Sequence, residues 1–411
     1  MLEVSLLVIL LGVLPALYLN LCASVLSDLA HGRWGGADFT AYYTAARLIR
    51  EGESPYDAAA FSQEARSWGF RNDRPYIYPP LLAIVTVPLA PLPPQHATCI
   101  WFCMNAALLI LSSILLTWTL EPNRSRLYFL ALLTGTLTFY PVIFSIFVGQ
   151  ANTLILVVIA LAFYLSKRGR ESLAGIALAL PTLVKFFPFG IALYFLWKRK
   201  YRIFLCAVLG VVLLTLLSVL LVGLDPHRVY LRQVLPSQFM KSHPLNQSLP
   251  GFIARMLPIS DSKSLSQWRI LSVSASALVV LATVIVIPPG RKHAEQSDLE
   301  ISLVIVALLL TSTISWIGTL SLLIIPYAVI FKYLLNGSFK RPWGLASLAL
   351  LSLLLADAPR LLELRVTFVG GTPMSPWLSG LPMYGMTILW LTIVLALFKR
   401  RAMLAIPDTR C

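Results

Sequence analysis

An all-α polytopic membrane protein is the fold class this sequence predicts, and three observations predict it. Of the 411 residues, 58% are hydrophobic and only 12% charged, where a soluble domain carries about 25% charged residues. The apolar residues gather in long runs such as Phe204 to Val222 and Leu271 to Ile287, near the ~20 residues that a bilayer-spanning helix needs. Short basic clusters sit at the ends of such runs: Lys167-Arg168-Arg170, Lys198-Arg199-Lys200-Arg202, Lys340-Arg341 and Lys399-Arg400-Arg401. Backbone amides in lipid must bond within their own segment, which favours helices, and the strict alternation of a membrane barrel is absent.

The formal net charge of +15 does not imply nucleic acid. The clusters follow the positive-inside rule, and no basic segment has the length or interleaved aromatics of a nucleic-acid surface. The five cysteines, 22, 99, 103, 206 and 411, form neither a zinc spacing nor a disulfide framework. Met1-Leu2-Glu3 opens the chain without a basic n-region, which predicts a retained anchor rather than a cleaved signal peptide.

Pinning the basic clusters to the cytoplasm gives about twelve spans, at 4–25, 97–119, 127–146, 151–166, 172–186, 187–197, 203–223, 268–288, 300–317, 319–335, 343–357 and 381–398, with both termini cytoplasmic. The spans at 172–186 and 187–197 are short and meet at Lys185-Phe186-Phe187-Pro188, as broken or half-membrane helices would. Segment 78–94 opens with Pro79-Pro80 and adds Pro88, Pro91, Pro93 and Pro94; it reads as re-entrant or interfacial. The non-cytoplasmic regions are then 27–77, 224–267 and 358–380 within a single membrane domain, and no internal repeat stands out.

The first outer loop is the most informative. In Gly35-Gly36-Ala37-Asp38-Phe39-Thr40-Ala41-Tyr42-Tyr43-Thr44-Ala45-Ala46, the glycines permit a turn and Asp38 can start a helix. Phe39, Tyr42, Tyr43 and Ala46 would share one face, with Arg47 and Arg50 opposite, as in a helix lying on the membrane surface. Asp38 is either an N-cap or a general base at the water–lipid boundary. Asp57, after Ser54-Pro55-Tyr56, fits a helix start better than a catalyst. The tyrosines of Tyr76-Ile77-Tyr78 are interfacial anchors or the lining of a sugar site.

Polar groups inside apolar surroundings are the remaining candidates. Gln150 and Asn152 in Gly149-Gln150-Ala151-Asn152 either join neighbouring helices or face a substrate. Lys185 is an intramembrane cation, a functional-site candidate unless it snorkels to the interface. In the second large loop, Lys241, Asn246, Gln247 and Arg255 combine cations and amides in a set able to hold a phosphate or a sugar. Asn246-Gln247-Ser248 also matches the glycosylation sequon. The histidines have no metal spacing, and no phosphate-cradling glycine loop or Ser/Cys–His constellation is present.

In order along the chain, DFTAYYTAA at 38–46, SPYD at 54–57, YIYPP at 76–80, GQAN at 149–152, LVKFFP at 183–188 and NQSLPGFIAR at 246–255 resemble the bacterial polyprenyl-phosphate-dependent glycosyltransferases of family 87, membrane enzymes of the GT-C fold. The resemblance implies a GT-C-like bundle in the cell (plasma) membrane and a mannosyltransferase-like enzyme. It implies a polyprenyl-phosphate sugar donor and a glycolipid or glycan acceptor on the non-cytoplasmic face, with membrane lipids around it. Neither a cofactor nor a metal is implied. By the same inference Asp38 is the base, and Lys185, Arg255 and Lys241 hold the donor phosphate. Tyr42, Tyr43, Tyr56, Asp57, Gln150, Asn152, Asn246 and Gln247 form the sugar and acceptor set. One departure stands out: after Trp316, where the family is expected to carry a histidine, the chain reads Ile317-Gly318-Thr319. The competing functions are a lipid or glycan transporter, which predicts midplane charges and repeat symmetry, and an inactive scaffold of an envelope glycan assembly complex.

Overall fold

The structure, a computed structural model, describes residues 37–70, 75–121, 125–238, 242–257, 259–290, 296–339, 342–361 and 375–404, with single positions 5, 8, 12, 23, 27 and 123. The expected span at 4–25, apart from the single positions 5, 8, 12 and 23, and Lys241 lie outside these residues. Among the described residues every regular element is helical. Five helices are long and apolar enough to cross a membrane: Pro94–Leu120, Tyr201–Val222, Ser262–Val286, Ile317–Leu335 and Leu381–Met403. The protein is therefore a polytopic membrane protein.

The expectation of about twelve spans is only partly met. The span expected at 127–146 is a pair, Arg126–Thr138 and Tyr140–Phe147, bent by 55°, which raises the total to six if the pair crosses as one. Pro141 at the start of the second helix accounts for the break, because it has no N–H to continue the ladder. The two short spans are helices of 14 and 9 residues. At 1.5 Å per residue these reach roughly 21 and 14 Å, short of a hydrocarbon core of about 30 Å.

Two compact units divide the chain. The first comprises residues 1–189 and 202–238, the second 190–201 and 239–411. In the first, α1 (Ala37–Arg50), α2 (Ala58–Ser67) and α3 (Pro80–Thr86) pack together. They are followed by α4 (Pro94–Leu120), α5 (Arg126–Thr138), α6 (Tyr140–Phe147), α7 (Asn152–Lys167) and α8 (Glu171–Val184). α7 packs on both α4 and α8. α9 (Phe189–Trp197) falls, beyond Phe189, in the second unit; in the first, α10 (Tyr201–Val222) approaches α8 closely at Gly175, where a Cβ would meet Cys206 Cβ at 2.7 Å and Ala207 N at 3.0 Å. Small residues at such crossings let helices pack in lipid by van der Waals contact. The rest of α10 is largely apolar and exposed, Leu220 at 83%, as a lipid-facing helix should be.

The second unit holds α11 (Leu249–Met256), α12 (Ser262–Val286), α13 (Ser297–Thr311), α14 (Ile324–Leu335), α15 (Trp343–Ala356) and α16 (Leu381–Leu404). α16 packs on α13 and α15. The first turn of α13 carries two buried acids. Glu300 pairs with Lys198 at 3.1 Å and accepts a hydrogen bond from the Tyr194 hydroxyl at 3.0 Å. Asp298 pairs with Lys332 at 2.8 Å. The helix dipole favours acids at this end. The sequence reading took Lys198 as part of a solvent-facing cluster, whereas its side chain is 5% exposed.

Candidate active site

The helix carrying Asp38 is not the surface helix that its pattern predicts. Residues 39–46 of α1 are all buried, Tyr42 and Ala45 at 0% exposure. The reason is the packing around it: α2 and α3 close against it, and Trp101 of α4 stacks on Phe39 with ring centroids 5.1 Å apart. A helix built from small and aromatic residues on every side is suited to burial rather than to an interface. Arg47, expected on the polar face, is clasped by Glu64 and by the Ala90 carbonyl at 3.0 Å, with its guanidinium 4.5 Å from the Trp68 ring centroid.

Asp38 lies in the first turn of α1, and its N–H donates to the Val148 carbonyl at 3.2 Å. Its carboxylate interacts electrostatically with Tyr78 and Lys185. The chain thus brings a carboxylate and an amine that are remote in sequence under one another's electrostatic influence. Lys185 follows the last turn of α8 in extended geometry, φ −143° and ψ 131°. Pro188 beyond it disfavours a helical residue 187, so the helix stops and the lysine is carried off its axis. Lys185 Nζ donates to Asn152 Oδ1 at 2.7 Å. Asn152 Nδ2 in turn donates to Gln150 Oε1 at 2.5 Å and to Ser145 Oγ at 3.1 Å.

Aromatic rings surround this polar group. Tyr42 meets Tyr78 edge-on at 4.9 Å and Trp101 at 5.7 Å, and Tyr76 lies 5.9 Å from Tyr78. Other expected site residues have structural partners. The Tyr43 hydroxyl donates to the Leu92 carbonyl at 2.6 Å, and that of Tyr56 to the Tyr78 carbonyl at 2.6 Å. Asp57 is the N-cap of α2, accepting from the N–H groups of Ala59 and Ala60 at 2.9 and 3.0 Å.

The second-unit candidates form a separate network. Asn246 Oδ1 accepts from the Ser315 N–H at 2.9 Å and the Ser248 hydroxyl at 3.0 Å, and its Nδ2 donates to the Thr313 carbonyl at 3.1 Å. Gln247 donates to the carbonyls of Pro244 and Ser379 at 2.6 and 2.8 Å and accepts from the Met383 N–H at 3.2 Å. Both amides are at most 1% exposed and brace the backbone, where the sequence reading had them meet a sugar. Arg255 differs. One terminal nitrogen donates to the carbonyls of His243 and Asn246 at 3.0 and 2.6 Å, while its Nε and Nη2 are buried without a hydrogen-bond partner among the described residues. Burial pulls the guanidinium down to about 10, still cationic at neutral pH.

Sequence reasoning missed Trp101, Ser145 and Asn105. Asn105 receives the Thr153 hydroxyl and donates to the Trp101 carbonyl at 2.7 Å. An asparagine inside the apolar run at 97–119 was the available signal. Among the described residues no group of three or more His, Cys, Asp or Glu is placed to hold a metal ion.

The chain is 26% identical over 308 residues, 67% of its own length and 69% of the other's, to a polyprenol-phosphate-mannose-dependent alpha-(1-2)-phosphatidylinositol mannoside mannosyltransferase of Mycobacterium tuberculosis. Residues 76–315 match the model of glycosyltransferase family 87. That stretch runs from the tyrosines beside Asp38 through Gln150, Asn152, Lys185 and Arg255, and covers more than half of the sequence. This membrane protein belongs to glycosyltransferase family 87.

Proposed function

We propose that the protein transfers mannose from a polyprenyl-phosphate donor to a glycolipid acceptor at the non-cytoplasmic face of the plasma membrane, with inversion at the anomeric carbon. The observation that carries this reading is that one turn holds both groups, the Asp38 N–H at the Val148 carbonyl, 3.2 Å, and Lys185 Nζ at Asn152 Oδ1, 2.7 Å, and that the two interact electrostatically. The acceptor hydroxyl oxygen forms the new bond to C1 as the bond from C1 to the phosphate oxygen breaks. Asp38 takes the hydroxyl proton, and the electron pair leaves with the polyprenyl phosphate. One carboxylate in the group fits a single displacement, since a double displacement needs a nucleophile as well. Lys185 faces the charge that develops, an electrostatic task for which a preorganised cation is suited. Taken by itself, Arg255 of the second unit, whose Nε and Nη2 have no hydrogen-bond partner among the described residues, suits an anionic oxygen.

The topology belongs to the same proposal: basic clusters and both termini cytoplasmic, the loop of α1 and α2 outside. The nature of the mycobacterial relative supports polyprenyl-phosphate mannose as donor and a phosphatidylinositol mannoside as the first acceptor to try.

The test is transfer of radiolabelled mannose from synthetic polyprenyl-phosphate mannose by purified protein in lipid vesicles. Wild type should transfer, and Asp38→Asn at equal folded amount should lose about 10²–10⁴-fold, the usual worth of a general base. Undiminished transfer by Asp38→Asn would move the base to another group.

A further inference from the structure

We propose that Asn152 is a positioning residue, and that the turn from Val148 to Asn152 sets the Asp38 carboxylate and the Lys185 ammonium in register with one another. This rests on the reading of Asp38 and Lys185 as the reacting pair. It differs from a sugar-binding role for Gln150 and Asn152.

Lysine has donors only, so the Asn152 group facing Lys185 Nζ at 2.7 Å must be its oxygen. The amide orientation, which chemistry alone leaves open, is thereby settled. Asn152 Nδ2 then has two acceptors within reach, Gln150 Oε1 at 2.5 Å and Ser145 Oγ at 3.1 Å. Asn152 is 0% and Gln150 5% exposed. Both N–H groups of Asn152 and one lone pair of its oxygen are thus engaged within the protein. Lys185 stands on extended backbone beyond its helix, and its long side chain has many rotamers. Asn152 selects one of them.

The same turn fixes the acid. The Val148 carbonyl accepts the Asp38 N–H at 3.2 Å. Gly149, at φ +73°, lies against the residue after Asp38, where a Cβ would come within 2.6 Å of Phe39 Cβ. Trp101 Nε1 holds the Gly149 carbonyl at 3.0 Å and its ring stacks on Phe39. Five consecutive residues therefore hold the start of α1 at one end and the lysine at the other. A displacement of the turn would move both reacting groups.

The experiment uses full-length Asn152→Leu and Asn152→Asp in lipid vesicles, with polyprenyl-phosphate mannose and a phosphatidylinositol mannoside as substrates. It has two readouts, steady-state transfer and acetylation of Lys185 by acetic anhydride followed by mass spectrometry. Asn152→Leu should lower kcat about 30-fold and leave both KM values within about threefold, as misplacement of a reacting group does. Lys185 should be acetylated faster. Asn152→Asp keeps the oxygen, and Gln150 and Ser145 can turn donors toward it; it should restore slow acetylation and most of kcat. A raised KM with kcat retained would overturn the proposal in favour of a sugar contact. Unchanged kcat and acetylation in Asn152→Leu, or losses that merely track thermal stability in both variants, would overturn it too. If wild type transfers nothing, the transferase chemistry fails, and acetylation alone still decides whether Asn152 holds Lys185.

Discussion

Two amide pairs that look alike in the sequence do different work. Gln150 and Asn152 connect to a side-chain cation beside the candidate base. Asn246 and Gln247 connect to backbone groups of three distant segments, at Thr313–Ser315, Ser379 and Met383. Both pairs are buried, and both satisfy the rule that buried polar groups are hydrogen-bonded. The difference lies in the partner. An amide bonded to a lysine can be altered at the expense of chemistry, whereas one bonded to backbone N–H and C=O groups can be altered only at the expense of the fold. A polar residue in an apolar chain is therefore not by itself a substrate contact.

Variants can break this comparison, and the largest effect should come from the brace. Asn246→Ala leaves the Ser315 N–H, the Ser248 hydroxyl and the Thr313 carbonyl without their shared partner. It should lower stability by about 3 kcal/mol, the cost of stranding buried polar groups. A thermal melt in detergent checks this, with transfer per folded molecule near wild type. Lost transfer at full stability would make Asn246 a substrate contact after all.

Gly149→Ala should come next, at about 2 kcal/mol. The left-handed conformation costs a residue with a Cβ roughly 1–2 kcal/mol, and Phe39 stands in the way. Because this turn holds Asp38 and Lys185, transfer should fall by more than stability does. Equal falls would make the turn a brace like the other. The smallest effect belongs to Asp57→Ala. It removes an N-cap and should cost about 1 kcal/mol while transfer continues, measured by the same melt and assay. Abolished transfer in a folded variant would return Asp57 to the acceptor site.

Much of this was legible in the sequence, and for physical reasons. Apolar runs and basic clusters report the membrane because lipid cannot bond a backbone amide and cytoplasmic loops retain lysine and arginine. Asp38, Lys185 and Arg255 stood out because an ionisable group among apolar residues is costly unless something uses it. Asp57 announced its cap by residue type and position. Other features did not show. The pattern of α1 looked amphipathic, yet Trp101 and the helices α2 and α3 help bury its residues 39–46 on every side. Lys198 looked like a loop cation, yet it neutralises Glu300 inside the second unit.

What the sequence determined by itself is the solvent the chain lives in, the family it belongs to and the types of group available for chemistry, since these depend on composition and on short motifs. What only the tertiary structure decided is pairing: that Asp38 and Lys185 interact electrostatically, that Asn152 accepts a hydrogen bond from the lysine, and that Asn246 faces the backbone. Hydrogen bonds and ion pairs act over about 3–4 Å. Residues 152 and 185 come within such a range only when α7 and α8 have packed.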